Sequence, residues 1–173
     1  DWDIPPTEFS EYVTIGGTAA TALLFSSNNG FATANPLGGG RVAIAPGCPV
    51  TADFTDCGNG DHGALFDFGF GSLDDGESVS FHILYGATAT EAAAFAALGT
   101  VGAEVFSLGQ HDGPTGAAGS PGYLDGTPAT YIFGFSGVGG TALPDPGVIP
   151  EPGTFLLLGS GLIGLVKSKK KKA

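Results

Sequence analysis

Four oxygen-bearing side chains, Asp53, Asp56, Asn59 and Asp61, fall within nine residues and are interleaved with glycine. Hard oxygen ligands on a flexible loop are what a calcium ion needs, but this spacing is not that of the helix–loop–helix calcium loop. The plainer expectation is a solvated acidic loop with no metal, and a calcium site is the alternative. Cys48 and Cys57 flank the segment PVTADFTD. In an oxidising compartment two cysteines this close are expected to pair as a disulfide, stapling a loop that has little core of its own. Zinc would need Cys48, Cys57, His62 and a fourth ligand, and no motif spacing supplies one. His62, His82 and His111 stand far apart, and His82 alternates with apolar residues as an ordinary strand position would. Asp74, Asp75 and Glu77 could pair for acid–base work, yet they sit in the turn GSLDDGE, where acids are usually solvated. No nucleophile elbow, phosphate-cradling loop or dinucleotide fingerprint occurs. The residues point to a non-enzymatic protein with no cofactor.

The C-terminus carries chemistry done to the chain rather than by it. Residues 148–173 read VIPEPGTFLLLGSGLIGLVKSKKKKA. Pro150 and Pro152 fix their own φ and restrict the residue before each, so the Pro150-Glu151-Pro152 triplet is held extended and exposed ahead of a helix. Residues 154–166 are then apolar or small all the way round, and Lys167, Lys169, Lys170, Lys171 and Lys172 follow. Glu151 lies at the positive end of that helix's dipole and the lysines at its negative end. A single C-terminal membrane helix over 154–166 is expected, its lysines retained on the cytoplasmic side and residues 1–150 exported. Thirteen residues rise only about 20 Å against a hydrocarbon core of about 30 Å, a gap that snorkelling lysines and local bilayer thinning partly close. The alternative is a terminal helix packed on the domain.

Pro150, Glu151, Pro152, Gly153 and Thr154, with the short apolar helix and the basic cluster after them, resemble a PEP-CTERM sorting signal. The resemblance implies an exported bacterial protein held briefly in the inner membrane by this tail. It would then be processed by an exosortase, a transpeptidase-like cysteine enzyme of the membrane, and reach the cell surface or the extracellular space. Genes for such proteins often neighbour exopolysaccharide genes, so exopolysaccharide is an implied partner. This tail has lysine where arginine is commoner, which keeps the charge. Segments DWDIPPTEFSEYVTIGG, DHGALFDFGFGSL, ILYGATATEAAAFAALGTVGAEVFSLGQ and YIFGFSGVGG also resemble a recurrent β-rich domain of bacterial surface proteins. That second resemblance transfers no catalytic residue. It implies a further strand before the DWD segment.

Composition narrows the function classes. The 173 residues suit one domain with a core, plus the tail. The sequence has no Met and opens on Asp1 without a leader, as a processed or truncated product would. Residues 1–150 hold 16 acids against Arg41 alone, a formal −15. Such a surface repels nucleic acid and suits solubility, divalent cations or a crowded extracellular matrix. Thirty-one Gly and 13 Phe with few charges indicate turns between apolar strands rather than disorder.

Several elements must position these residues. Residues 1–4 alternate as the end of a strand; 12–15 and 21–25 are short strands, 26–30 and 35–40 turns, and 41–44 an edge strand. Phe66, Phe68 and Phe70 line one face of a strand, and Val79, Phe81, Ile83 and Tyr85 one face of the next. Thr88 with Glu91 has capping-box spacing ahead of AAAFAAL and a Gly99 stop, which predicts one short helix. Residues 104–108 resume strand character, as a parallel crossover or as an excursion between sheets. Residues 110–128 read as a surface loop, and Tyr131, Phe133 and Phe135 as the last aromatic strand face. The expected fold is mainly β: a two-sheet sandwich over residues 1–140 with one inserted helix. Its core would be Phe66, Phe68, Phe70, Phe81, Ile83, Tyr85, Tyr131, Phe133 and Phe135. Residues 141–149 would be a flexible tether and 150–173 the sorting signal. The function this implies is a non-enzymatic exported surface or matrix protein linked to exopolysaccharide or biofilm. A carbohydrate- or calcium-binding adhesin module is the alternative, using residues 53–61 or 110–128.

Overall fold

A computed structural model describes residues 2, 4, 9–32, 35, 37, 41–45, 47–111 and 129–147. Within them the chain is mainly β, with seven strands in two sheets and one helix. The strands are β1 (Glu11–Gly16), β2 (Leu23–Ser27), β3 (Phe54–Gly60), β4 (Leu65–Phe68), β5 (His82–Thr88), β6 (Val105–His111) and β7 (Thr130–Ser136); the helix is α1 (Glu91–Thr100). One sheet has the order β3-β1-β6-β7-β5, and the other pairs β2 with β4.

Alternation along the strands decides which face each side chain takes. On one face of the large sheet Val105 and Phe135 meet Ala22 and Leu23, with Phe66, Phe68, Phe70 and Phe133 packed around them. The rings of Phe66 and Phe68 lie edge-on to Phe135 at 5.2 and 4.8 Å, so the aromatic row expected on residues 66–70 does face the large sheet. On the opposite face α1 buries Ala94 and Leu98 against Ala103, Phe106, Leu108 and Ile132. Strands β5 and β6 each run antiparallel to β7, which lies between them. The segment β5-α1-β6 is therefore a parallel crossover with a strand inserted, one of the two routes left open by its short linker.

Several local expectations give way to tertiary pairing. Thr88 is not the helix cap. It closes β5 opposite Thr130, and Thr90 caps α1 instead, its Oγ1 accepting from Ala93 N at 3.2 Å. Residues 53–61 are not a free loop, because 54–60 form edge strand β3. Residues 41–44 are not a strand. The Asn28 side chain accepts from Ile44 N and donates to Ile44 O, both at 3.1 Å, and Asn29 Nδ2 donates to Val42 O at 3.0 Å. These amides satisfy the backbone that a neighbouring strand would have satisfied. Trp2 and Ile4 are likewise outside any strand, with Trp2 N donating to His62 O at 3.0 Å.

The largest departure concerns the core. Ile83 is 59 % exposed, Tyr85 84 % and Phe81 40 %. They alternate as expected, but β5 is the outermost strand of its sheet: Phe81, just before it, still meets Phe68 and Phe70 at 6.4 and 5.3 Å, whereas Tyr85 meets Phe133 of its own sheet at 6.3 Å.

Candidate functional site

The sorting residues Pro150, Glu151, Pro152, Gly153 and Thr154, the apolar run 154–166 and Lys167 and Lys169–Lys172 lie outside the described residues. Among the described residues no helix is long and apolar enough to cross a membrane. The structure does show how the chain approaches this tail. After β7 it turns through Gly137 and Gly139, both in the left-handed region. The Glu104 carboxylate fastens that turn, accepting from Gly137 N at 3.0 Å and from Val138 N and Gly140 N at 2.9 Å each. The bond from Gly140 and those from its neighbours hold the Glu104 carboxyl below the usual carboxylate range against the opposing effect of burial. Beyond it Leu143 N donates to Ala103 O at 2.9 Å, and Leu143, Pro144 and Pro146 line one hollow with Ala92, Phe95 and Ala96. Residues 141–147 therefore run along α1 before residue 148.

Cys48 and Cys57 are bonded, with Cα atoms 6.0 Å apart. Cys57 sits on β3 opposite Val13, so the bridge ties residues 48–53 to the sheet and packs beside Val13 and Ile15. The chain-entropy model gives about 2.7 kcal/mol for closing a loop of this size. Replacing both cysteines by serine is expected to lower stability by that order, measured by urea unfolding. No change in the urea midpoint would contradict it.

The four oxygen side chains are not brought together. Asp53 Oδ1 accepts from Thr18 N and Oγ1 at 2.8 and 2.7 Å, anchoring the turn after β1. Burial alone would raise its carboxyl, but these bonds and one from Gly17 outweigh it and hold it low. Asp56 engages Thr14 on the adjacent strand, Asp56 N donating to Thr14 Oγ1 at 3.0 Å. Burial pushes the Asp56 carboxyl up. Asn59 Nδ2 donates to Ser10 Oγ at 3.3 Å. Asp61 points inward, its Oδ1 buried with no hydrogen-bond partner. Among the described residues no three His, Cys, Asp or Glu side chains could hold a metal ion together. The other carboxylate group, Asp74, Asp75 and Glu77, is exposed at a turn in which Asp74 N donates to Glu77 Oε2 at 3.1 Å.

A buried polar cluster lies nearby that the sequence did not single out. Glu11 and His62 are fully buried, and Glu11 Oε1 and Oε2 accept at 3.4 Å from Ile4 N and His62 N. Burial pushes the Glu11 carboxyl up, with a smaller push from Asp61. His62 Nδ1 is 2.9 Å from Asn28 Nδ2, which donates to it and leaves the ring proton on Nε2. Burial lowers its basicity, offset in part by Asp61. The cluster joins Trp2 and Ile4, β1, Asn28 and the end of β3. Arg41 pairs with the buried carboxylate of Asp67 and lies over the Phe25 ring. Nothing in one sequence distinguishes these acids from surface ones, since the signal is burial.

Residues 148–171 match the family model of the PEP-CTERM protein-sorting motif. The chain thus carries the signal of an exported protein sorted at the membrane through an exosortase. No curated protein and no solved structure matches the chain.

Proposed function

We propose that this is a non-enzymatic protein of the bacterial cell surface or extracellular matrix, anchored in the inner membrane through residues 154–166 and released by cleavage in or beside Pro150-Glu151-Pro152. The observation that carries the reading is the sorting-motif match over residues 148–171. The physical order of that stretch supports it. A rigid extended triplet, an apolar run and a basic stop present a cleavable bond near the bilayer surface with the domain on the far side. The disulfide suits an oxidising compartment. An excess of carboxylates over residues 1–150 suits a hydrated, cation-rich matrix, and exopolysaccharide is the partner we assign to it.

The test is the intact mass and membrane fractionation of the protein, secreted from hosts with and without an exosortase. The tail should be lost only when the enzyme is present, and Glu151→Ala should abolish that loss. An intact tail in both hosts would remove the reading and leave a permanently anchored domain or a packed terminal helix, which detergent extraction separates.

A further inference from the structure

We propose that the free edge of β5 is a self-association surface, on which a second copy of this chain adds its own β5 in antiparallel register and continues the sheet. A five-stranded sheet has two edges, and these two are built differently. At the β3 edge the pairing with β1 is interrupted by two register shifts, and Asp56 takes a left-handed conformation in the middle of the strand. Irregularity and inward or flanking charge are the devices that keep an edge from templating another strand. The β5 edge has none of them. It pairs with β7 over seven consecutive residues with no register shift, and among the described residues it has no strand on its other side.

The side chains of that edge fit the same purpose. From Ser78 to Thr90 the chain carries no Asp, Glu, Lys or Arg, although its net charge is −11. Phe81, Ile83 and Tyr85 present one apolar face, with Phe70 stacked on Phe81 at 5.3 Å and Phe133 beside Tyr85 at 6.3 Å. On the other face an apolar groove of about 160 Å³ opens between β5 and α1, lined by Leu84, Gly86, Ala97 and Val101 among others. Both faces of the edge are thus ready to be covered.

Charge selects the occupant. A basic partner would find no carboxylate on β5 to pair with. Two copies of an acidic domain repel one another over most of their surfaces and can approach only where carboxylates are missing. A two-fold contact sets each patch against its own equivalent, so an uncharged apolar strip is complementary to itself and brings the two Phe81-Ile83-Tyr85 rows side by side. Because the other edge of this sheet, β3, is interrupted by register shifts, addition through the sheet is expected to stop at two chains. Covering Phe81, Ile83 and Tyr85 hides roughly 300 Å² of apolar surface per copy, given the area of such side chains. That is well short of the roughly 800 Å² per partner of a standard interface, so strand pairing and the groove rim must supply the rest. Dimerisation is expected with a Kd on the order of 10 μM.

Sedimentation equilibrium on the full chain in mild detergent, from about 1 to 200 μM, tests this. The wild-type average mass should rise from near that of one chain towards that of two across that range. Ile83→Lys and Tyr85→Lys, each at an exposed position, should raise the Kd at least tenfold with an unchanged far-ultraviolet circular dichroism spectrum. Val50→Lys, which makes the same change of charge at a position 46 % exposed and away from this edge, should leave it within twofold. A wild-type monomer throughout would overturn the proposal and leave the aromatic row to a different partner such as a glycan. A dimer indifferent to both edge variants, or weakened equally by Val50→Lys, would overturn it by placing the contact elsewhere, the apolar tail included.

Discussion

Gly17→Ala is expected to destabilise the domain by about 4 kcal/mol, from two separate causes. Gly17 has φ +80°, a left-handed conformation that costs an L-residue about 1 kcal/mol. The methyl group would also fall on the carbonyl oxygen of Glu104 and within 2.9 Å of Val105 Cα. Both obstacles are backbone at the start of β6, held by Glu104 N donating to Phe135 O at 2.7 Å, so no side chain can swing aside. The β1–β6 ladder, which runs to Gly16 opposite Phe106, would have to part at that end. Gly76→Ala provides the comparison. It has φ +84° and open space around the position of a Cβ, so it should lose only the conformational part, about 1 kcal/mol. Urea unfolding of the two variants separates the causes. Equal losses would show that the close approach at Gly17 is relieved by a small shift of β6 and contributes nothing.

Sequence patterns reached different depths in different parts of this molecule. Alternation of Phe66, Phe68 and Phe70 was enough to place β4 and its inward face, because these rings have a partner sheet opposite them. The same alternation in Ile83 and Tyr85 indicated a face but not a cover, since period two records which residues share a side and says nothing of what lies across from it. Edge strand β3 was illegible for the opposite reason. Its sequence FTDCGNG has no apolar period, and it is held by Cys57 and by the Thr14–Asp56 contacts rather than by a buried stripe. Thr88 had the chemistry of a helix cap and lost the role to pairing with Thr130, a residue 42 positions away. For the tail the position is reversed. Its rigid triplet, apolar run and lysines are local features, and a local pattern was sufficient to identify the sorting motif that the family model matches. The motif describes an address. Buried Glu11 and half-buried Glu104, which do structural work in the domain, carry no local mark.

Glu104→Gln is expected to lower stability by about 3 kcal/mol at neutral pH, because three backbone N–H groups lose an ionised acceptor. The amide keeps the size of the side chain but turns one of the two accepting oxygens into a donor, so the difference reports the loss of the charge together with one acceptor. Its pH dependence follows from the direction of the shift. The folded carboxyl is held below the usual range, so the folded state resists its protonation more than the unfolded chain does. The stabilisation is therefore fully present above the ordinary glutamate value of about 4.3 and is lost as pH falls through the lower folded value. Wild type and variant should differ at pH 7 and converge as the medium is acidified below about pH 4, a range in which the other carboxylates titrate equally in both proteins. Urea midpoints at a series of pH values measure this directly. A gap that persists undiminished at the acid end would mean that Glu104 acts through shape rather than charge. A second consequence concerns the exit of the chain. The turn over residues 137–140 is the last fixed point of the large sheet before the strap along α1, and loosening it should speed amide exchange at Gly137, Val138 and Gly140 more than at the centre of β6. Through that turn Glu104 sets where residues 141–147 begin their run along α1.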